Sequence, residues 1–463
     1  MGTTSKMSKS TMIKLAINVL VPVLIMLIPT NEVFTPQLRL YFAITLLAIL
    51  AFAFEVINTT VTAIILPILY VLFNLAPINV VYSSYANSMV WMILGGLILA
   101  DMANKTGLLQ RIAYKCIILT GGSYAGIIWG LAIAGLISTI ILAGNGVIPM
   151  VALAFGICQA LKLDKNMAAA GVMMAAGLGC LVSGAFIFCP GGALMYSGFA
   201  GMTDVMMSLG WTDYFLKQAV GVIYFVAVIF LLERMCRPKE GINGKEYFVE
   251  EYNKLGKISV QEWKAAAICI FLLIAVLTVN IHKISLMWCF ALIPLLAYMP
   301  GIAICDGEDM KKTNFGMVIF IAACLSIGTV GTALGLGQVV SDIAMPILQG
   351  KSPAMVLFFI YVAFVVLNFV MTPAAIAAAF SLPFATICIN LGINPQAFFM
   401  FETVALDQIF LPYEFVMYLV IFSFGVMTTK DFFKIASVKV LVATLYIFLL
   451  LIPYWKLIGF LMI

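Results

Sequence analysis

Apolar runs long enough to cross a bilayer recur from one end of this 463-residue chain to the other. About 20 apolar residues wound as a helix match the thickness of the hydrocarbon core. Inside hydrocarbon every backbone N–H and C=O must find a partner within the protein, so such runs become helices packed on helices. This feature alone restricts the chain to an all-α polytopic membrane protein. Composition agrees: 64% of the residues are hydrophobic and 10% charged, with a mean hydropathy of +1.14. So few charges cannot clothe a water-exposed surface of this size. The first run, from near Leu15, lacks a small-residue cleavage site and reads as a span, not a removable signal.

The formal charge of +5 is modest, and the basic residues sit in the connections. That pattern speaks for topology and against a nucleic-acid partner. The ten cysteines fall mostly in apolar segments without a CxxC pair, as thiols acting as small hydrophobes do. His282 is the single histidine, which argues against a histidine-based metal or catalytic site. No acid pair or nucleophile–base constellation is apparent, so neither an enzyme nor a cofactor is expected.

Spans are expected at 15–30, 38–55, 58–75, 83–101, 217–233, 264–280, 285–301, 314–334 and 438–460. Four longer apolar segments, 123–160, 167–206, 353–390 and 396–428, are interrupted by Gly and Pro. With 123–160 and 353–390 as re-entrant hairpins, the positive-inside rule places Lys6, Lys9, Lys14, Lys105, Arg111, Lys115, Lys162, Lys165, Lys311, Lys312, Lys430 and Lys434 in the cytoplasm. The polar connection 234–263 falls there too, while the C-terminus ends outside the cell. The expected fold has about 11 transmembrane helices plus two re-entrant hairpins. It divides into N-terminal scaffold helices (1–75), a first repeat core (76–233), the cytoplasmic loop (234–263) and a second repeat (264–463).

The halves echo each other. "TGLLQRIA" (106–113) is answered by "LGLGQVVSDIA" (334–344), pairing Gly107 with Gly335 and Gln110 with Gln338. Asn145 pairs with Thr372 and Pro190 with Pro412, at one offset of about 222–228 residues. Halves that begin on opposite sides of the membrane make an inverted repeat, an architecture of secondary transporters that puts the substrate near the midplane.

Non-helical backbone survives at membrane depth only where protein buries it or where it lines a wet cavity. Four breaks meet that condition: Gly144-Asn145-Gly146, Cys189-Pro190-Gly191-Gly192, Met371-Thr372-Pro373 and Leu411-Pro412-Tyr413-Glu414. At each, freed N–H groups can face an anion and freed carbonyls can hold a cation. The substrate-binding candidates are Asn145, Gly146, Gly191, Thr372, Pro373, Pro412 and Tyr413. For a coupling cation or proton they are Gly144, Asn145, Cys189, Thr372, Asp407, Leu411 and Glu414. Ionisable groups at membrane depth mark ion or proton pathways, which singles out Asp407 and Glu414. Glu402 and Glu55 are expected at interfaces, and no Lys or Arg is apparent in the site. Packing kinks and a structural carboxylate remain the alternative account of these residues.

"YANSMVWMILGGLILADMANKTGLLQRIA", the two hairpins and "FLPYEF…FSFGVMTTKDFFKIA" resemble the divalent anion:sodium symporter family of dicarboxylate, citrate and sulfate transporters. The resemblance spans nearly the whole chain. It implies an elevator-type carrier in the cytoplasmic membrane, a homodimer embedded in lipid, with Na⁺ as coupling ion held at the Asn145 and Thr372 tips. In that family the tips usually read Ser-Asn-Thr; here they read Gly-Asn-Gly and Met-Thr-Pro. The expected substrate is a di- or tricarboxylate such as succinate, malate, citrate or 2-oxoglutarate. An exchanger without cation coupling, or a cation/proton antiporter on a related scaffold, is the alternative.

Overall fold

The computed structural model describes residues 9–463 except 55–56, 143, 164, 190, 240–241, 243, 337–338, 340–341, 343–345, 347 and 370–371. Lys6, Glu55, Pro190, Gln338 and Met371, which carry expectations above, lie outside the described residues.

The described residues are almost entirely helical. The principal helices of the first half are α1 (Lys9–Met26), α2 (Pro36–Phe54), α3 (Thr59–Leu72), α4 (Ser88–Lys105), α5 (Leu108–Leu119), α6 (Tyr124–Ile141), α7 (Val147–Ala160), α8 (Met167–Leu181), α9 (Ala193–Phe199) and α10 (Gly221–Cys236). After α11 (Lys245–Lys254) in the polar connection come α12 (Val260–Leu277), α13 (Leu286–Leu292), α14 (Phe315–Ala333), α15 (Pro353–Asn368), α16 (Pro373–Asn390), α17 (Pro395–Leu406), α18 (Val416–Ser423) and α19 (Thr429–Leu445).

Among the described residues seven helices are long and apolar enough to cross a bilayer, and the pair Trp211–Lys217 and Gly221–Cys236, bent by 67°, makes an eighth. The expected count of about 11 is reached only if shorter apolar helices such as Thr59–Leu72 also span. Lipid suits the outer faces: Val222, Val226 and Phe230 on α10 and Ile270, Phe271 and Ile274 on α12 are all exposed. A soluble protein rarely leaves such contiguous apolar stripes bare.

Several expectations are corrected in detail. The span expected at 217–233 is this bent pair, because the helix that starts at Trp211 ends at Lys217. Residues 108–119, expected as connection, form the amphipathic α5, whose buried face holds Leu108, Leu109, Ala113 and Ile117. The last span begins at Thr429, not 438, since Thr428 and Asp431 form a reciprocal N-terminal cap. Lys439 therefore lies inside a helix and not at its flank.

Helix α8 is the axis of the first half. Every residue from Ala168 to Cys180 is buried, and its run of Ala and Gly lets neighbours approach backbone to backbone. A Cβ on Gly179 would stand 2.7 Å from Ala132 Cα, and one on Gly135 would stand 2.8 Å from the Gly179 carbonyl carbon. Along α8, α6 runs in the same direction: the Tyr124 hydroxyl donates to Ala168 O at 3.0 Å and that of Thr139 to Cys180 O at 3.1 Å. Helix α7 runs the opposite way, with Cys158 against Ala169 and Val151 against Gly177. The α6–α7 segment is therefore a hairpin that turns between Leu142 and Gly146, with Gly144 and Asn145 at the tip.

The α15–α16 segment also folds back. Phe364 and Phe384 make an edge contact with ring centroids 5.3 Å apart, whereas twenty residues of straight helix would separate them by about 30 Å. Local structure repeats between the halves. Gly107 and Gly335 both adopt left-handed backbone, φ +78° and +75°, as do Gly122 and Gly350, φ +67° and +80°. Ser123 and Ser352 cap the first arm of each hairpin, and Asn166 and Asn394 cap α8 and α17.

Candidate functional site

The first hairpin turns because glycine permits it: Gly144 sits at φ +88°, a region that side chains with a Cβ avoid. Its N–H donates to Thr139 O, and that of Asn145 to Leu142 O. Gly146, buried, opens α7 with no side-chain cap, so the first N–H groups of α7 have no acceptor of their own. Asn145 is half-buried beside them, its amide nitrogen 3.3 Å from Leu142 O.

The tip rests on the second break. A Cβ on Gly144 would lie 3.5 Å from Cys189 Sγ. Cys189 and Gly191 are half-buried, and open space stands where Gly191 would carry a side chain. Gly192, at φ +67°, is pressed against the other half: its Cβ would meet Thr403 Cγ2 at 2.7 Å. Gly144, Cys189, Gly192 and Thr403 thus form one contiguous line from the first hairpin tip across the first broken helix to α17.

In the second half Thr372 caps α16, accepting from the Ala375 N–H at 3.4 Å, and Pro373 follows as the first helical residue. Pro412 is buried, Leu411 half-buried, and Tyr413 exposed at 54%, its hydroxyl 3.5 Å from Phe369 O. The hairpin is tied to the last break by Asn368, fully buried, whose amide donates to Leu406 O at 3.1 Å and Gln408 O at 3.2 Å. Its side-chain oxygen and that of Gln408 have no partner.

The acids take three different situations. Glu414 is buried and accepts from the Phe410 and Leu411 N–H groups at 3.1 and 3.0 Å, the arrangement of a carboxylate that caps its own loop. Asp407 is ion-paired with Lys439 at 2.6 Å and accepts from the Tyr418 hydroxyl at 3.2 Å. Glu402, expected at an interface, is fully buried instead. One of its oxygens accepts from the Ser381 hydroxyl at 2.6 Å and the other has no partner. The expectation that no Lys or Arg stands in the site is also corrected: Lys439 reaches it from α19 with its side chain 2% exposed.

A cavity of ≈360 Å³ lies beside the first hairpin, lined by Asn104, Gly107, Gln110, Pro149, Gly156 and Tyr247 among others. It runs between α4–α5 and α7 and reaches Pro149, one turn from Asn145.

Over residues 9–461 the sequence matches the model of the sodium:sulfate symporter transmembrane region. The chain belongs to the sodium:sulfate symporter family. It is thus a membrane transporter by descent, in keeping with its apolar helices and broken segments. No curated protein matches it. Among solved structures it is similar to the YdaH transporter of Alcanivorax borkumensis, with 13% identity over 98% of this chain and 99% of that one and a TM-score of 0.54. That is a likeness of fold. MtrF of Neisseria gonorrhoeae aligns at 10% identity over 98% of this chain and 95% of that one, with a TM-score of 0.42.

Sequence reading of this symporter-family chain passed over Asn368, Ser381 and Lys439. Lys439 carried a signal, being a lone charge in the apolar run "IASVKVLVATLYIFLL". Asn368 is a lone amide four residues before Thr372, where Met371-Thr372-Pro373 drew the reading to the tip itself.

Proposed function

We propose that this family member is a secondary active transporter of small organic anions across the cytoplasmic membrane, driven by a cation gradient, with Na⁺ ahead of H⁺. Its substrates are di- or tricarboxylates such as succinate, malate, citrate or 2-oxoglutarate. The observation that carries the reading is the contiguity of Gly144, Cys189, Gly192 and Thr403, which joins broken backbone of one half to the other. An inverted repeat binds its substrate at such a junction. The uncapped start of α7 and the Asn145 amide supply donors for a carboxylate, and Gly191 leaves room beside them. Carbonyls at the same tip, with the Asn145 side-chain oxygen, suit Na⁺. The homodimer and the elevator motion come with the family resemblance and form part of the proposal.

A second reading, exchange without cation coupling, is favoured by Lys439, whose amine pairs with Asp407 at the last break. Labelled succinate, citrate and sulfate uptake into proteoliposomes tests both, under a Na⁺ gradient, a H⁺ gradient, or with the same anion loaded inside. Uptake that follows Na⁺ upholds the proposal. If only H⁺ drives it, Glu402→Gln should abolish that dependence. Uptake solely against internal anion selects the exchanger, and sulfate without any carboxylate overturns the substrate class.

A further inference from the structure

A helix C-terminus presents carbonyls that no N–H of its own helix reaches. Two repeats that each end a helix at a break therefore offer two places where freed carbonyls can hold a cation. Here the two places are unlike. At the end of α8 the carbonyls are taken by neutral groups: Cys180 O by the Thr139 and Ser183 hydroxyls, Ser183 O by the Phe186 and Ile187 N–H groups, and Gly184 O by the Tyr214 hydroxyl.

At the end of α17 the protein supplies a charge. Leu406 O and Gln408 O accept from Asn368, and the carbonyl between them, Asp407 O, accepts from the Lys439 ammonium. The same nitrogen is 2.6 Å from the Asp407 carboxylate. One ammonium thus gathers a main-chain carbonyl and a carboxylate, the two kinds of oxygen that a coupling cation would use at this position. The ring of Tyr418 covers it at 5.3 Å. The Lys439 side chain is 2% exposed and lines a small apolar pocket with Leu178, Val228, Leu232 and Ile435, so protein and not water surrounds the charge.

We infer that Lys439 is a built-in cation that fills the second-half ion place, so that any Na⁺ binds at the first half alone. The inference rests on the reading of the breaks as the transport site. Removing the ammonium leaves Asp407 and its carbonyl facing each other with no counter-charge, and a Na⁺ from solution can take the vacated position.

The test counts Na⁺ on the full-length protein purified in detergent, by ²²Na⁺ equilibrium dialysis, with melting followed in NaCl and in choline chloride. Lys439→Gln should bind one more Na⁺ per chain than the unsubstituted protein. It should melt lower in choline and recover in Na⁺. Combined with Asp407→Asn, the extra Na⁺ should vanish, because the carboxylate that held it is gone. An unchanged Na⁺ count in Lys439→Gln, with a melting loss that no cation restores, overturns the inference. Should that variant fail to fold, the unsubstituted protein decides: two or more Na⁺ per chain overturns the inference, and one or none upholds it. Anion uptake is a separate readout, so a failure of the transport reading shows there and not in the Na⁺ count.

Discussion

The Asn145 side chain does little to hold the fold. Its one hydrogen bond closes its own turn onto Leu142, yet it stands beside donors of α7 that nothing in the helix satisfies. Asn145→Ala should lower kcat/KM for anion uptake at least tenfold, about 1.4 kcal/mol of transition-state stabilisation, while melting barely moves. Unchanged uptake would put the anion elsewhere. Asp309 makes the opposite case, a residue with a structural charge outside the spans. The Lys105 ammonium, 2.5 Å away, and then the Asp306 N–H hold its carboxyl below the usual carboxylate range. A depressed pKa contributes stability above the unfolded value near ~3.9, and that contribution fades as pH falls through the folded value. Asp309→Asn should therefore melt below the parent at pH 7, and the gap should close under acid conditions. A gap constant with pH would remove the charge from the account.

At the scale of helices, breaks could be located from Gly and Pro alone, whereas what each break touches could not. Gly144 meeting Cys189 and Gly192 meeting Thr403 are contacts between segments apart in the chain, and the first depends on small residues of α8 that let α6 and α7 close on it. Capping residues were more legible than they were read: Ser123, Asn166, Ser352 and Asn394 mark four helix starts. The cap at Thr428 and Asp431 starts α19 well before the expected 438, which carries Lys439 into the interior of the helix. Helix α7 also walls the ≈360 Å³ cavity, and a Cβ on Gly156 would meet nothing within 4 Å. Gly156→Trp should fill that space, slowing uptake several-fold with melting unaltered. Normal rates would show that the cavity is no part of the route.

For the molecule as a whole, the helical membrane class was readable in composition, because hydrocarbon leaves so few alternatives, and the Gly107/Gly335 correspondence returns as matched left-handed backbone. The bracing across the polar connection was not readable. Arg111 on α5 forks onto Glu262 at 2.6 and 3.1 Å and donates to Gly256 O and Leu255 O. That clamp ties the start of the second half to the first. Removing one partner of a buried pair strands the other, which costs about 3–5 kcal/mol. Glu262→Ala should accordingly melt well below the parent, while Arg111→Met combined with it should recover part of the loss; equal melting of single and parent would show the clamp to be idle. Cysteine, finally, gives the molecule a reporter of its own. Nine of the ten thiols are buried, and Cys189 alone is half-buried, directly under the Gly144 turn. A small water-soluble methanethiosulfonate should mark the unsubstituted protein first at that sulfur, and an anion seated beside Asn145 should slow the marking, so occupancy can be followed with no engineered label.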